Sequence, residues 1–396
     1  MTTPLWLDPP RPARPPLATD LRCDVVVIGA GLCGSAAAAE LAGRGLDVVL
    51  LEAGQVSGQA SGRNAGFLLQ GTAERYDRAV GLLGAERARR IHAWSLENHD
   101  RIAAFIQAEG LSCDYRRCGS LQLAGSPREE EELIRSAELL VADGFQASLC
   151  MGEDLPEVYR KAGFKVGVIL PRDGELHPAR LVQGIADVAV TRGCRLFEHS
   201  PVTALDANTP GAVQAATAGG TVQADLALVC VNARAGHLLP FFADKVDPVR
   251  GQMLATAAAP PLFGCPVYAD HGFDYWRQDH QGRVILGGWR NLDPQAEVGL
   301  EDVLHAGIQD RMTAFLHRFE ALRDVPVTHR WSGTMGFSRD GLPLVGAVPG
   351  APGALAAVGF TGHGFGFAFL AGQALADVAA EGRHPFATEL SPRRLA

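Results

Sequence analysis

Gly29, Gly31 and Gly34 stand at the spacing GxGxxG in Gly29-Ala30-Gly31-Leu32-Cys33-Gly34, and the pair Glu52-Ala53 follows about twenty residues later. That set can hold a dinucleotide. The first glycine allows a tight turn, the second lets backbone approach a pyrophosphate, and the third lets helix and strand touch. A helix starting there aims free amides at the anion. The acid takes ribose hydroxyls, whereas a 2′-phosphate calls for an arginine. A second run, Ser61-Gly62-Arg63-Asn64-Ala65-Gly66, is too small and polar to build a core element, but it suits a loop pressed against a ligand. In it, Arg63 offers a fixed charge for phosphate or for a flavin ring. Near the other terminus, Gly362-His363-Gly364 opens a further helix, whose N-terminus favours an anion such as the N1 and C2 carbonyl region of a reduced flavin.

The flanking residues predict the elements that position these groups. Val25 to Ile28 is an apolar β-branched run, an alanine-rich helix follows, and Val48 to Leu51 returns as a strand, which makes a βαβ unit. Helical periodicity runs from Ala73 to about Gly110, a strand covers Cys118 to Ala124, and Pro127 to Val141 is an acidic helix. These form an inserted lobe. After a strand at Lys165 to Leu170 and a helix at Pro178 to Thr191, short strands lead to Ala224 to Val231, apolar on both faces like a buried parallel strand of the first sheet. A second excursion begins at Asp247. It holds strands at Val249 to Leu254, Phe273 to Arg277 and Arg283 to Leu286, then a helix from Glu301 to Leu322. Asp340 to Gly346 reads as a turn-rich link, Leu355 to Val358 as a strand, and the closing helix reaches about Glu381. Met1 to Asp20 is proline-rich and predicts an extended arm that either floats free or is pinned by Trp6.

With 396 residues the chain predicts two domains. A hydrophobic content of 47% describes an ordinary globular core, and a formal net charge of −8 disfavours a nucleic-acid partner. The eight cysteines form no CxxC pair and the histidines no ligand spacing, so no metal is expected and a reducing cytoplasm is. No apolar run approaches membrane-spanning length.

Taken together and in order, the GAGLCG turn, the SGRNAGF loop, Arg250-Gly251-Gln252, Tyr275-Trp276-Arg277, Leu286-Gly287-Gly288, Asp340-Gly341-Leu342-Pro343 and Gly362-His363-Gly364 resemble the FAD-dependent amine and amino-acid oxidases of the D-amino-acid oxidase superfamily. The γ-glutamylputrescine oxidase-like branch is the nearest in character. The resemblance covers nearly the whole chain. It implies an α/β fold, with a discontinuous Rossmann-like FAD-binding domain of glutathione-reductase type (residues 21–80, 170–240 and 326–396). An α+β substrate domain with a mainly antiparallel sheet (81–169 and 241–325) would roof it. It further implies that Gly29, Gly31, Leu32, Cys33, Gly34, Glu52 and Ala53 hold the ADP half and that Val202 meets the adenine edge through its backbone. Ser61 to Gly66, Gly333, Asp340 and Gly362 to Gly364 would surround the flavin end.

The implied reaction is oxidation of a C–N bond by hydride transfer to flavin, giving an imine, with oxygen or another acceptor taking the electrons. Two departures narrow it. Amino-acid-oxidising relatives carry an arginine just after a Trp-Ala-Gly-like segment to hold the substrate carboxylate, whereas here Trp331-Ser332-Gly333-Thr334-Met335 reaches no arginine before Arg339. That points to an amine, or to a substrate whose carboxylate lies farther from the nitrogen. The cysteine that sarcosine oxidases bond to their flavin is also missing, so FAD is expected to be held non-covalently. Candidate catalytic residues are Arg277 and Tyr275 for a polar substrate tail, Trp331 in an aromatic surround with Trp276 and Trp289, and His363 beside the ring. A dehydrogenase with a non-oxygen acceptor and a flavin-dependent tRNA-modifying enzyme are the competing readings.

Overall fold

The chain is described by a computed structural model over residues 2–396. Its strands form two eight-stranded sheets and a two-stranded ribbon. In the first sheet β1 (Leu21–Ile28) lies at the centre, parallel to the strand Gly220–Val229 on one side and to β2 (Val48–Leu51) on the other. Ala351–Val358 and Arg195–Phe197 extend the sheet in parallel outward from these neighbours. Val25 to Ile28 are all buried because helices cover one face of this sheet and a second apolar cluster covers the other. This explains their unbroken apolar run. α1 (Leu32–Gly43) packs on the closing helix Gly364–Glu381, and alanine and glycine make the approach close: a Cβ on Gly372 would lie 2.4 Å from the Cys33 carbonyl oxygen.

The second sheet runs Val327–Ser338, Val246–Ala258, Arg283–Gly288, Asp274–Gln278, Val267–Ala269, Ser120–Leu123, Val166–Leu170 and Ser148–Met151. Its pairings are antiparallel except for Val267–Ala269 with Ser120–Leu123. The strands of the first excursion therefore finish the sheet begun by the second, a join no local pattern announces. Three differences from the sequence reading follow, and one alternative it left open is decided. Val327–Ser338 belongs to this second sheet, so the boundary drawn at residue 326 falls later in the chain. The helix expected over Glu301 to Leu322 covers only Ala306–Leu316, because the His305 side chain caps it by accepting from the Ile308 amide and the chain turns again at Glu320–Leu322. The expected link after Asp340 contains a strand, Leu344–Val348, paired antiparallel with Ala351–Val358. And the N-terminal arm is pinned: Leu5–Leu7 forms a 3-10 turn in which Leu5 and Trp6 are buried. Among the described residues no helix is long and apolar enough to cross a membrane.

Candidate active site

A cleft of about 1380 Å³, counted to its open mouth, runs between the two sheets. Its floor begins at the opening glycine turn. Gly29 sits at φ +101°, where a Cβ would come within 2.7 Å of the Cys230 carbonyl oxygen, and a Cβ on Gly34 would meet the Gly29 carbonyl at 1.9 Å. Both must be glycine to close the turn on the helix. Gly31, Leu32 and Cys33 reach the cleft itself. The Ser61 hydroxyl accepts from the Leu32 amide at 3.0 Å, which ties the second glycine-rich loop to the start of α1. Glu52 ends β2 as expected. Its carboxylate accepts from the Ala30 amide at 2.8 Å and the Gly54 amide at 2.9 Å, so each oxygen keeps a lone pair for a hydroxyl donor. Burial raises its pKa, opposed by those amides.

At the far end the closing helix starts at Gly364 with no side-chain cap on its first turn and no acid there. That leaves a partial positive charge facing the cleft. Gly333, Gly362, His363 and Gly364 all line this end. Space, uncapped helix starts and side-chain-free approaches at both ends fit an elongated diphosphate cofactor with an electron-rich ring. Cys33 and Cys230 also border the cleft, with sulfurs 3.7 Å apart. The hydrogen bond to Cys230 and burial hold the Cys33 thiol well above its ordinary pKa.

The other predicted residues divide. Ser61, Asn64, Ala65 and Tyr275 line the cleft. Gly62 and Gly66 instead shape the loop, where a Cβ would strike the carbonyl oxygens of Ser57 and Leu176, both at 2.3 Å. Ala53 is exposed and Val202 half-buried, outside the cleft lining. Arg63 borders the cleft, but its guanidinium does not face it. It donates to the carbonyls of Gly58 (2.9 Å), Ser332 (2.9 Å) and Thr2 (3.1 Å) and lies 3.0 Å from Asp302. The expected charge for phosphate or flavin is therefore spent on fastening the loop to the second sheet and the arm. Arg277 is buried behind the same loop. It donates to Ala65 O and Leu176 O, pairs with Glu175 at 3.4 Å and stacks on Trp6, so it does not line the cleft. Asp340 is also elsewhere, held by Arg394 at 2.6 Å.

The tryptophan surround does not form. Trp276 alternates with Tyr275 along one strand and so points to the opposite face, into a core with Trp289. Trp331 is on the cleft side of its strand but wholly covered, its indole donating to Arg63 O at 2.9 Å. Tyrosines take that place. Tyr268 and Tyr275 stack with centroids 5.5 Å apart, and Phe67 meets both edgewise or tilted at 5.8 and 6.0 Å. His363 lies beside Tyr268, and burial, aided by the charge on Arg290, lowers it to about 4, so it is neutral at pH 7.

Arg290 is the residue the sequence reading missed. It lines the cleft, its guanidinium stacked 4.5 Å from the Phe273 ring and 5.3 Å from Phe337. Among the described residues no carboxylate pairs with it. Trp289, at φ +57°, turns the chain there. A non-glycine residue in that region is hard to foresee from sequence. Met335 also lines the cleft. Arg290 reaches the cleft from just beyond the strand Arg283–Gly288, not from the segment after Trp331.

Comparison with known proteins agrees with this geometry. The DAO family of FAD dependent oxidoreductases matches residues 24–378. The γ-glutamylputrescine oxidoreductase of Escherichia coli is 27% identical over 91% of this chain and 84% of its own length. A glycine oxidase of Bacillus licheniformis is 25% identical over 90% of this chain and 93% of its own. In fold, the crystal structure of glycine oxidase from Geobacillus kaustophilus superposes with a TM-score of 0.80 at 22% identity, covering 92% of this chain and 96% of that one.

Proposed function

The chain belongs to the DAO family of FAD dependent oxidoreductases, and from that premise we propose that it oxidises the C–N bond of an amine that also carries a carboxylate remote from the nitrogen. A γ-glutamylated amine or an N-alkylated ω-amino acid has that chemistry. FAD supplies the two-electron acceptor for a hydride leaving the carbon next to nitrogen; the substrate is left as an imine, which water hydrolyses. The residues supply positioning, which is most of what a hydride transfer asks of a protein. Tyr268, Tyr275 and Phe67 wall off water and offer ring faces to the amine. Neutral His363 adds no charge to repel a cation. The observation that carries the substrate class is Arg290, a cation in the cleft wall with no carboxylate partner among the described residues, where a substrate anion can complete a charge-assisted pair.

The test is anaerobic bleaching of the bound flavin by γ-glutamyl amines, N-methyl ω-amino acids, simple diamines and D-alanine. The carboxylate-bearing amines should bleach fastest, D-alanine should leave the colour unchanged, and Arg290→Met should remove the advantage over plain diamines. Fast reduction by D-alanine, or a preference for carboxylates that survives in R290M, overturns the reading. Peroxide formed per imine under air then decides between oxygen and another electron acceptor.

A further inference from the structure

Behind Tyr268 and His363 lies a second recess of about 810 Å³, counted to its open mouth, which shares those two walls with the cleft together with Leu69, Ala73, His271 and Gly272. The side chains on its deeper wall are unusual for a surface recess. Gln70 is 6% exposed and His92 5%. Both amide atoms of Gln70 and Nε2 of His92 are sealed from solvent and have no hydrogen-bond partner. Buried polar atoms left so are rare and costly, and three bordering one cavity call for a cause.

Packing does not supply one, since both residues are held firmly by everything except those atoms. The Gln70 backbone N–H donates to the Asp173 carboxylate at 2.8 Å, and the next backbone N–H, of Gly71, donates to the Ser95 hydroxyl at 2.7 Å. The His92 ring is gripped between Tyr76 and Phe145, with centroids 5.1 and 4.3 Å away. Fixed backbone and fixed ring with idle polar ends describe a prepared site, and the broad terminal torsion of glutamine lets its amide swing toward an arriving group.

The charges around the cavity are matched only in part, since Arg75 is shared by Asp77 at 3.4 Å, Glu129 at 4.0 Å and Glu132. Arg75 binds Glu132 at 2.6 Å and the His271 ring at 2.8 Å. Glu129 accepts from the amides of Gly125 and His271, both at 2.7 Å, and Glu74 pairs with Arg78 at 2.9 Å. The wall thus disfavours an anion, while the polar atoms it leaves idle belong to uncharged groups. Burial holds His92 neutral, lowered to about 3.

We infer that this cavity is a tail-binding compartment for the substrate, and that Gln70 and His92 recognise there an uncharged group able both to donate and to accept hydrogen bonds, a carboxamide above all. The inference rests on the amine reading of the adjoining cleft and adds a specificity device to it. A substrate would place its amine among the tyrosines and reach past the Tyr268–His363 wall with a neutral polar tail. Such a site rejects an apolar isostere more firmly than a greasy pocket rejects a polar one, because its own polar atoms would stay unpaired.

Calorimetric titration of the flavin-loaded protein tests this without turnover, using short ω-amino carboxamides paired with branched alkylamines of the same shape. The carboxamide of the best-fitting pair should bind about tenfold tighter. Gln70→Leu, with flavin content and melting temperature retained, should erase that preference, and His92→Phe, which keeps the ring between Tyr76 and Phe145, should weaken it. Equal affinity within every pair, or a preference unchanged in Q70L, overturns the inference and leaves a cavity that holds water only. The amine-oxidising function fails separately, if amines with a remote carboxylate do not bleach the flavin even though the carboxamide preference holds.

Discussion

Replacing Trp6 tests whether the N-terminal arm helps to hold the cofactor. Trp6 is 5% exposed, its indole donates to the Asn64 carbonyl at 2.6 Å, its ring lies 5.0 Å from the Arg277 guanidinium, and it meets His177 edge-on at 5.0 Å. Asn64 and Ala65 belong to the loop lining the cleft, and Thr2 in the same arm takes two donors from Arg63. Trp6→Phe keeps most of the ring but leaves the Asn64 carbonyl without its donor, at about 1–3 kcal/mol. Trp6→Ala also empties the ring's place, and such truncations cost about 3–5 kcal/mol. To the extent that loop order depends on the arm, these costs pass into FAD affinity at about 1.4 kcal/mol per tenfold. The Kd for FAD, read from recovery of flavin fluorescence on dilution, should therefore rise about tenfold in W6F and at least about a hundredfold in W6A. A W6A protein that melts earlier but binds FAD within about threefold of the parent would refute the coupling. The arm would then be packing alone.

Three more outcomes follow from the structure. His92 and His99 are buried and neutral, lowered chiefly by desolvation to about 3 and about 4. The unfolded chain takes up protons near the ordinary value of ~6.5 that the folded chain refuses, so stability is lost as pH falls from about 6.5 toward about 4, by about 1 kcal/mol per histidine at pH 5.5. Asp173, pushed up to about 7 by burial, tilts the curve oppositely between about 4 and 7. Melting temperatures of the parent and H92F across pH 5 to 7.5 should therefore converge on acidification, and parallel curves would reject the histidine assignment. Gly34→Ala should abolish FAD binding because its Cβ would overlap the Gly29 carbonyl oxygen at 1.9 Å. Gly81→Ala, with nothing within 4 Å in the helix Tyr76–Leu83, should be neutral or stabilise by about 0.5–1 kcal/mol. Ordinary flavin content in G34A would contradict the turn geometry.

What the sequence by itself determined is the cofactor frame. Turn glycines, a buried parallel strand and an alanine helix are local requirements with local signatures, so Gly29 to Gly34, Glu52 and the Gly364 helix start stand where their types demanded. Period-two alternation puts Tyr275 and Trp276 on opposite faces of their strand, so a reading that set both at the flavin could hold for only one of them, and alternation does not say which of them meets the cleft. Tertiary structure alone decided that, because the answer depends on which side of the strand Asp274–Gln278 the first domain lies. It also decided the fate of the arginines. A guanidinium is long enough to serve a loop, an ion pair or a ligand, and only the neighbours brought together by folding select among them. Arg63 and Arg277 were drawn into carbonyls of their own chain, while Arg290, unremarkable in the sequence, was left facing the cleft.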